Sequence, residues 1–260
     1  MNRPDQRFAA IIGVVLLPIL ATLVMYGWAA SAEDSQLAAL ERLVVANPED
    51  LRVCAAYRQR IIALGQYDRA IKLLERLVAR PGAGANTFMN LALARVDKVP
   101  VASPFGRIFL GRDAANALSR SIERRPTLVA HYVRGLINLY YPESVFHRTR
   151  RAIADLSRAR ELSAEEPVRP YHARVFVSLG DAYWKIGDLK TANAVWTDGL
   201  ARFPTDEGLK VRLSTTGGAL DRLISDALDP NRRVDTSLRE LFPPLGEELV
   251  GRLSCPASWL

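Results

Sequence analysis

Residues 173–206 constrain this chain more than any other stretch. Phe176, Leu179, Gly180 and Tyr183 recur at steps of three and four, which puts them on one face of a helix. Gly187-Asp188 then marks a turn. Beyond it Ala192, Trp196 and Gly199 share one face of a second helix, and Pro204 cannot continue that helix. Small residues on two antiparallel helices let the backbones approach, and the aromatic rings fill the space beside them. A single hairpin of this size cannot bury both of its faces, so it needs neighbours of the same kind.

The stretch resembles the tetratricopeptide repeat, a helix–turn–helix unit of about 34 residues. Phe176, Leu179, Gly180, Tyr183, Ala192, Trp196 and Pro204 stand at the family's signature positions, and Gly199 stands where alanine is usual. Further copies lie upstream. Residues 50–82 repeat the pattern, with Gly65 and Tyr67 at the turn and Ala70, Leu74 and Leu77 on the second helix, but Arg58 replaces a small residue. Residues 86–96 pair with 112–126 across an expanded loop, DKVPVASPFG. Residues 128–140 pair with 150–162 across a second long turn, YPESVFHRT, with Gly135, Ala152, Leu156 and Ala159 in register. Residues 35–48 read as a half repeat closed by Pro48. No period-two alternation is sustained. The expected fold is all-α: an α-solenoid of stacked hairpins whose concave face is lined mainly by the first helix of each pair. On the best copy that face holds Arg174, Val177, Ser178, Asp181, Trp184 and Lys185. Some members of the family grip a C-terminal carboxylate there with lysines and asparagines. Asp181 and Val177 depart from that pattern, so the activity does not carry over. For a bound peptide, Trp184 is the expected apolar anchor and Arg174 the polar contact.

Residues 8–30, FAAIIGVVLLPILATLVMYGWAA, carry no charge and are long enough to span a bilayer as a helix. Arg3 and Arg7 precede the run, and Glu33 and Asp34 follow it, which places the N-terminus on the cytoplasmic side. Ala30-Ser31-Ala32 offers the alternative of a cleaved signal peptide, although the run is longer than a usual apolar core of one. Both readings send residues 33–260 across the membrane. The expected organisation is a cytoplasmic stub and anchor at 1–32, repeats at 33–206, and a capping helix with an apolar, proline-broken tail at 207–260. The expected location is the inner membrane, single-pass, with the helical domain periplasmic.

The chain lacks the sequence patterns of an enzyme. His131, His147 and His172 show no metal-binding spacing, and GxSxG and GxxxxGK[ST] are absent. Glu165 and Glu166 are adjacent and cannot converge on a helix. Cys54 and Cys255 form no CxxC, and whether they bridge stays open. No cofactor is expected. From Arg107 to Arg174 the chain holds 13 arginines and no lysine, against seven acidic residues, which accounts for nearly all of its net charge of +7. The densest cluster is Arg148, Arg150 and Arg151, at the start of a helix whose dipole disfavours positive charge. That conflict suggests grip on an acidic protein surface or a lipid headgroup. No interleaving of aromatic and basic residues supports nucleic-acid binding. The sequence therefore reads as a membrane-anchored periplasmic scaffold for protein partners, of the sort that serves assembly or maturation of envelope or respiratory complexes. The alternatives are a secreted peptide-binding module and an accessory subunit of a membrane enzyme.

Overall fold

The computed structural model describes residues 35–229. The apolar run at 8–30, the Ala30-Ser31-Ala32 site, Cys255 and the tail beyond residue 229 lie outside the described residues. Among the described residues no helix is long and apolar enough to cross a membrane.

Everything described is helix and short connection. Helix α1 spans 35–46. It is followed by α2 (Leu51–Leu64), α3 (Tyr67–Val78), α4 (Ala85–Lys98), α5 (Pro104–Arg124), α6 (Leu128–Tyr140) and the single turn α7 (Glu143–Phe146). Then come α8 (Thr149–Glu165), α9 (Ala173–Lys185), α10 (Leu189–Arg202), α11 (Glu207–Ser214) and α12 (Gly217–Ala227). The pairs α4–α5, α6–α8 and α9–α10 pack along their lengths, and neighbouring hairpins stack through α3–α4, α5–α6 and α8–α9.

Local chemistry sets the boundaries. Asp50, Ser103, Thr127, Asp188 and Asp206 each accept a backbone N–H in the first turn of the helix that follows, satisfying donors that a bare helix end leaves orphaned. Gly84 precedes α4 at the cap position and has no side chain to cap with. The Glu49 carboxylate, from the previous connection, accepts from Asn86 N, Thr87 N and the Thr87 hydroxyl instead. Gly65 and Gly187 close α2 and follow α9 with φ of 65° and 82°, a conformation that favours glycine.

The interior is built on close approach. A Cβ at Gly180 would sit 2.1 Å from Trp196 Nε1, and one at Gly135 would sit 2.8 Å from Leu156 Cγ. The facing large side chains occupy the volume these glycines vacate. Trp196 is fully buried, and its indole N–H donates to Val177 O at 3.3 Å. The α2–α3 pair approaches less closely than the later hairpins. There Arg58 occupies the place of the small residue and is itself fully buried. It donates to Asp97 of α4 at 3.0 Å, so its charge is neutralised inside the stack.

Two further arginine–aspartate pairs recur along the stack, one half-buried at Arg134 and one buried at Arg212. Arg134 of α6 grips Asp155 of α8 through two nitrogens, at 2.9 and 2.5 Å, and reaches Ser119 of α5 at 2.9 Å. His131 Nδ1 lies 3.2 Å from the same carboxylate. Arg212 of α11 grips Asp181 of α9 at 2.5 and 2.6 Å.

Two readings of the sequence need correction. The expanded loop before residue 112 is largely helix: α5 begins at Pro104, with Ser103 as its cap. Proline suits a first helical position because its missing N–H would be orphaned there anyway. The break expected at Gly217-Gly218 falls at Thr215-Thr216, and Gly217 opens α12 with φ 56°.

Gly180→Ala is expected to lower stability by about 1–3 kcal/mol through overpacking against Trp196. Asp97→Ala is expected to cost about 3–5 kcal/mol, since it leaves the Arg58 charge buried without its carboxylate. Thermal and urea unfolding followed by circular dichroism check both.

Candidate functional site

The topology gives the stack two edges. At the turn edge, the first helix of each hairpin ends and the second begins. Hydrogen bonds stitch this edge: Lys98 to Asp68, the Tyr141 hydroxyl to Ile108 O, and Lys185 Nζ to Leu139 O and Tyr141 O. The opposite edge carries the starts of the first helices and the ends of the second.

The structure separates the residues expected to bind partners. Lys185 caps the carbonyl end of α6, at 2.5 and 2.9 Å, and burial pushes its pKa down. The Trp184 indole donates to Asp221 of α12 at 3.2 Å. On the same side the Tyr140 hydroxyl donates to Ala227 O at 3.3 Å, while Leu220 and Ile224 of α12 are buried. The face of α6 and α9 expected to line a groove is therefore occupied by the chain's own α12. Arg174 is exposed, but it lies in the first turn of α9, eleven residues from Lys185 and so about 16 Å away along the helix.

Arg148, Arg150 and Arg151 do come together, at the turn edge. The Arg148 guanidinium stacks over the Tyr141 ring at 4.4 Å. The dipole conflict read in the sequence is met by Glu143, whose carboxylate accepts from Thr149 N and the Thr149 hydroxyl at 2.8 and 2.5 Å. Burial works against that charge, but the Thr149 bonds outweigh it and hold the carboxyl below its ordinary value. Arg150 lines an open cleft of about 650 Å³ with Ile153, Tyr183, Ile186, Gly187 and Asp188. The Asp188 carboxylate is committed to capping α10 through Thr191 N at 3.0 Å. The cleft thus sets one cation beside a mixed wall, with Ile153, Tyr183 and Ile186 next to the polar Gly187-Asp188 turn.

A second basic group was not legible in the sequence. On the edge opposite the turns, Arg160 and Arg202 both lie over the Phe176 ring, at 5.9 and 5.6 Å. Arg169 and Arg202 are near enough to the His172 ring to help lower its pKa, and Arg174 opens α9 on the same edge. Three separate helices and a loop supply these residues, so no run in the sequence announces them. His172 itself is buried, and burial is the main cause of its pKa falling below 6.5.

Among the described residues no group of three or more His, Cys, Asp or Glu could hold a metal ion. Cys54 is buried, and burial pushes its thiol up to about 12, so it is protonated at neutral pH.

No family model and no curated protein matches the chain. Solved structures do. The crystal structure of TTC0263, a thermophilic TPR protein of Thermus thermophilus, matches over 74% of this chain and 94% of that one, at 24% identity and a TM-score of 0.51. The chain has the tetratricopeptide-repeat fold. Two crystal structures of MamA are also similar, at 19% and 18% identity over 65% and 73% of this chain and 86% and 90% of theirs, with TM-scores of 0.46 and 0.48. In this TPR solenoid the signature residues Phe176, Leu179, Ala192 and Trp196 are buried. Tyr183 is half-buried and borders the cleft, and Pro204 is exposed just after α10.

The His172 ring is kept neutral in the fold, while in the unfolded chain it takes up a proton near its ordinary value of 6.5. Stability from this group is present above that value and is lost as the pH falls below it. Melting temperature is expected to drop as the pH is lowered through the ordinary histidine value of 6.5, and His172→Leu is expected to shrink that drop. Asp155 acts in a lower window. Burial raises its pKa, but the bonds from His131 and Arg134 prevail and hold it below 3.8, so its contribution is lost only in stronger acid.

Proposed function

We propose that the chain is a non-enzymatic scaffold, held in a membrane by residues 8–30 with its repeats on the extracytoplasmic side. It recruits protein partners during assembly or maturation of an envelope or respiratory complex. The observation that carries this reading is the unbroken row of helical hairpins, a framework whose exposed side chains can vary without disturbing the signature contacts inside.

The partner surface is the basic edge at Arg160, Arg169, Arg174 and Arg202, which suits an acidic patch on the partner. Arginine is apt there because its planar head can grip a carboxylate at two points. Two of the four guanidinium groups are already positioned over Phe176, so little side-chain freedom is lost when a partner arrives. The seat of α12 on α6 and α9 supports a further point: the first-helix face accepts an amphipathic helix, the mode by which grooves of this kind hold partner segments.

Cross-linking of the full chain in intact membranes tests the reading. A recurrent partner is expected with the wild type. Capture of that same partner is expected to fall in the Arg169→Glu/Arg174→Glu variant, with the melting temperature unchanged. Absence of any recurrent partner, or equal capture by the variant, refutes it.

A further inference from the structure

The turn edge carries an apolar surface that the scaffold reading does not use. Of the nine exposed large apolar side chains among the described residues, six lie on this edge: Val101, Phe105, Ile108, Phe109, Val145 and Leu189. Phe105 is 76% exposed and Phe109 52%, although phenylalanine at such exposure gains nothing from water. An exposed apolar cluster of this kind marks a surface that meets something else.

The backbone makes the cluster protrude. Helices α3, α8 and α10 each begin three residues before their signature alanine, Ala70, Ala152 and Ala192. Helix α5 begins ten residues before Ala114. At 1.5 Å per residue, the seven added residues lift its start about 10 Å beyond its neighbours. Phe105 and Phe109 sit on this overhang. It is braced, with the Arg107 guanidinium donating back to Ala102 O and Pro100 O and the Tyr141 hydroxyl donating to Ile108 O.

Charge and topology identify what the overhang meets. Arg112 stacks at 5.0 Å on the Phe109 ring, and Arg150 and Arg151 are exposed on the same edge. The acids of the edge are engaged: Asp68 by Lys98, Asp113 by Arg112, Glu143 by Thr149 and Asp188 by Thr191. Helix α1 runs parallel to α3, because Glu41 pairs with Arg69 at the start of α3 and Val45 O accepts from Arg80 just past its end. The first residue of α1 therefore lies at the turn edge. Only four residues separate it from the end of the apolar run at 8–30. A bilayer holding that run has to lie close to this edge.

We propose that the turn edge docks on an anionic phospholipid surface, with the α5 overhang inserting Phe105 and Phe109 into the interface and the arginines behind it meeting phosphate headgroups. The proposal rests on the anchoring of residues 8–30 and adds an orientation to it: the hairpin turns face the lipid, and the basic edge at Arg169 and Arg174 points away.

The test uses the full chain reconstituted into vesicles of phosphatidylglycerol and phosphatidylethanolamine, with a benzophenone amino acid at Phe105, Val145 or Ala164. Lipid adducts are expected from positions 105 and 145 and not from 164, on the opposite edge. Adduct formation from position 145 is expected to fall at least about tenfold in Phe105→Ser/Phe109→Ser, given the apolar area removed, with an unchanged circular dichroism melt. Equal lipid labelling at 105 and 164 overturns the proposal, as does a protein adduct at 105 from a second copy or another chain. An alkaline wash of the same vesicles separates the two readings. Chain that stays bound but shows no lipid adduct at 105 refutes the docking edge alone. Chain that washes off refutes the anchor.

Discussion

Two antiparallel helices can pack at backbone distance only if one of them yields volume where the other fills it. That exchange, Gly180 for Trp196 and Gly135 for Leu156, sets the geometry of the later hairpins. The signature of the fold is therefore a statement about volume, and its chemistry is secondary. Where the exchange is refused, at Arg58, the hairpin opens and the stack finds another solution. The guanidinium is carried inward and neutralised by Asp97 on the next first helix. The cost of burying two charges is recovered only when both stay together, which binds the first full hairpin to the second more stringently than apolar contact would.

The same device recurs at intervals. Arg134 and Asp155 join the two helices of one hairpin while also reaching back to Ser119 on the hairpin before. Arg212 and Asp181 fasten the closing helix α11 to the last first helix. Apolar faces tolerate sliding, because burial has no direction. A bidentate ion pair does not, since a shift of one residue separates it. The stack thus takes its cohesion from leucine, alanine and aromatic side chains and its register from three charged joints.

Much of this was legible in the sequence and some was not. Helix identity, the hairpin at 173–206 and the register of Gly135, Ala152 and Leu156 follow from periodicity, because helical spacing is a local property. The start of α5 was missed for a specific reason. Ser103-Pro104 reads as a loop by composition, yet serine followed by proline is equally how a helix begins. The arginine–aspartate pairs were missed because their partners lie from 21 to 39 residues apart, where no pattern connects them. Trp184 and Lys185 were read as partner contacts, but a sequence cannot show that Asp221 of α12 and the carbonyl end of α6 engage them. The basic group around Phe176 was hidden for the same reason: it exists only once α8, α9 and α10 are side by side.

The seat of α12 has a quantitative consequence. A helix tethered beside its receptor face through α11 by a two-residue link acts at an effective local concentration on the order of millimolar. An incoming helix that seeks the same face of α6 and α9 competes with that resident, so its apparent affinity is reduced by the fraction of time the face is vacated. Any guest that wins must expel α12, and the displaced segment carries residues 230–260 with it. Occupancy of the groove and the seating of α12 are in this way two readings of one equilibrium.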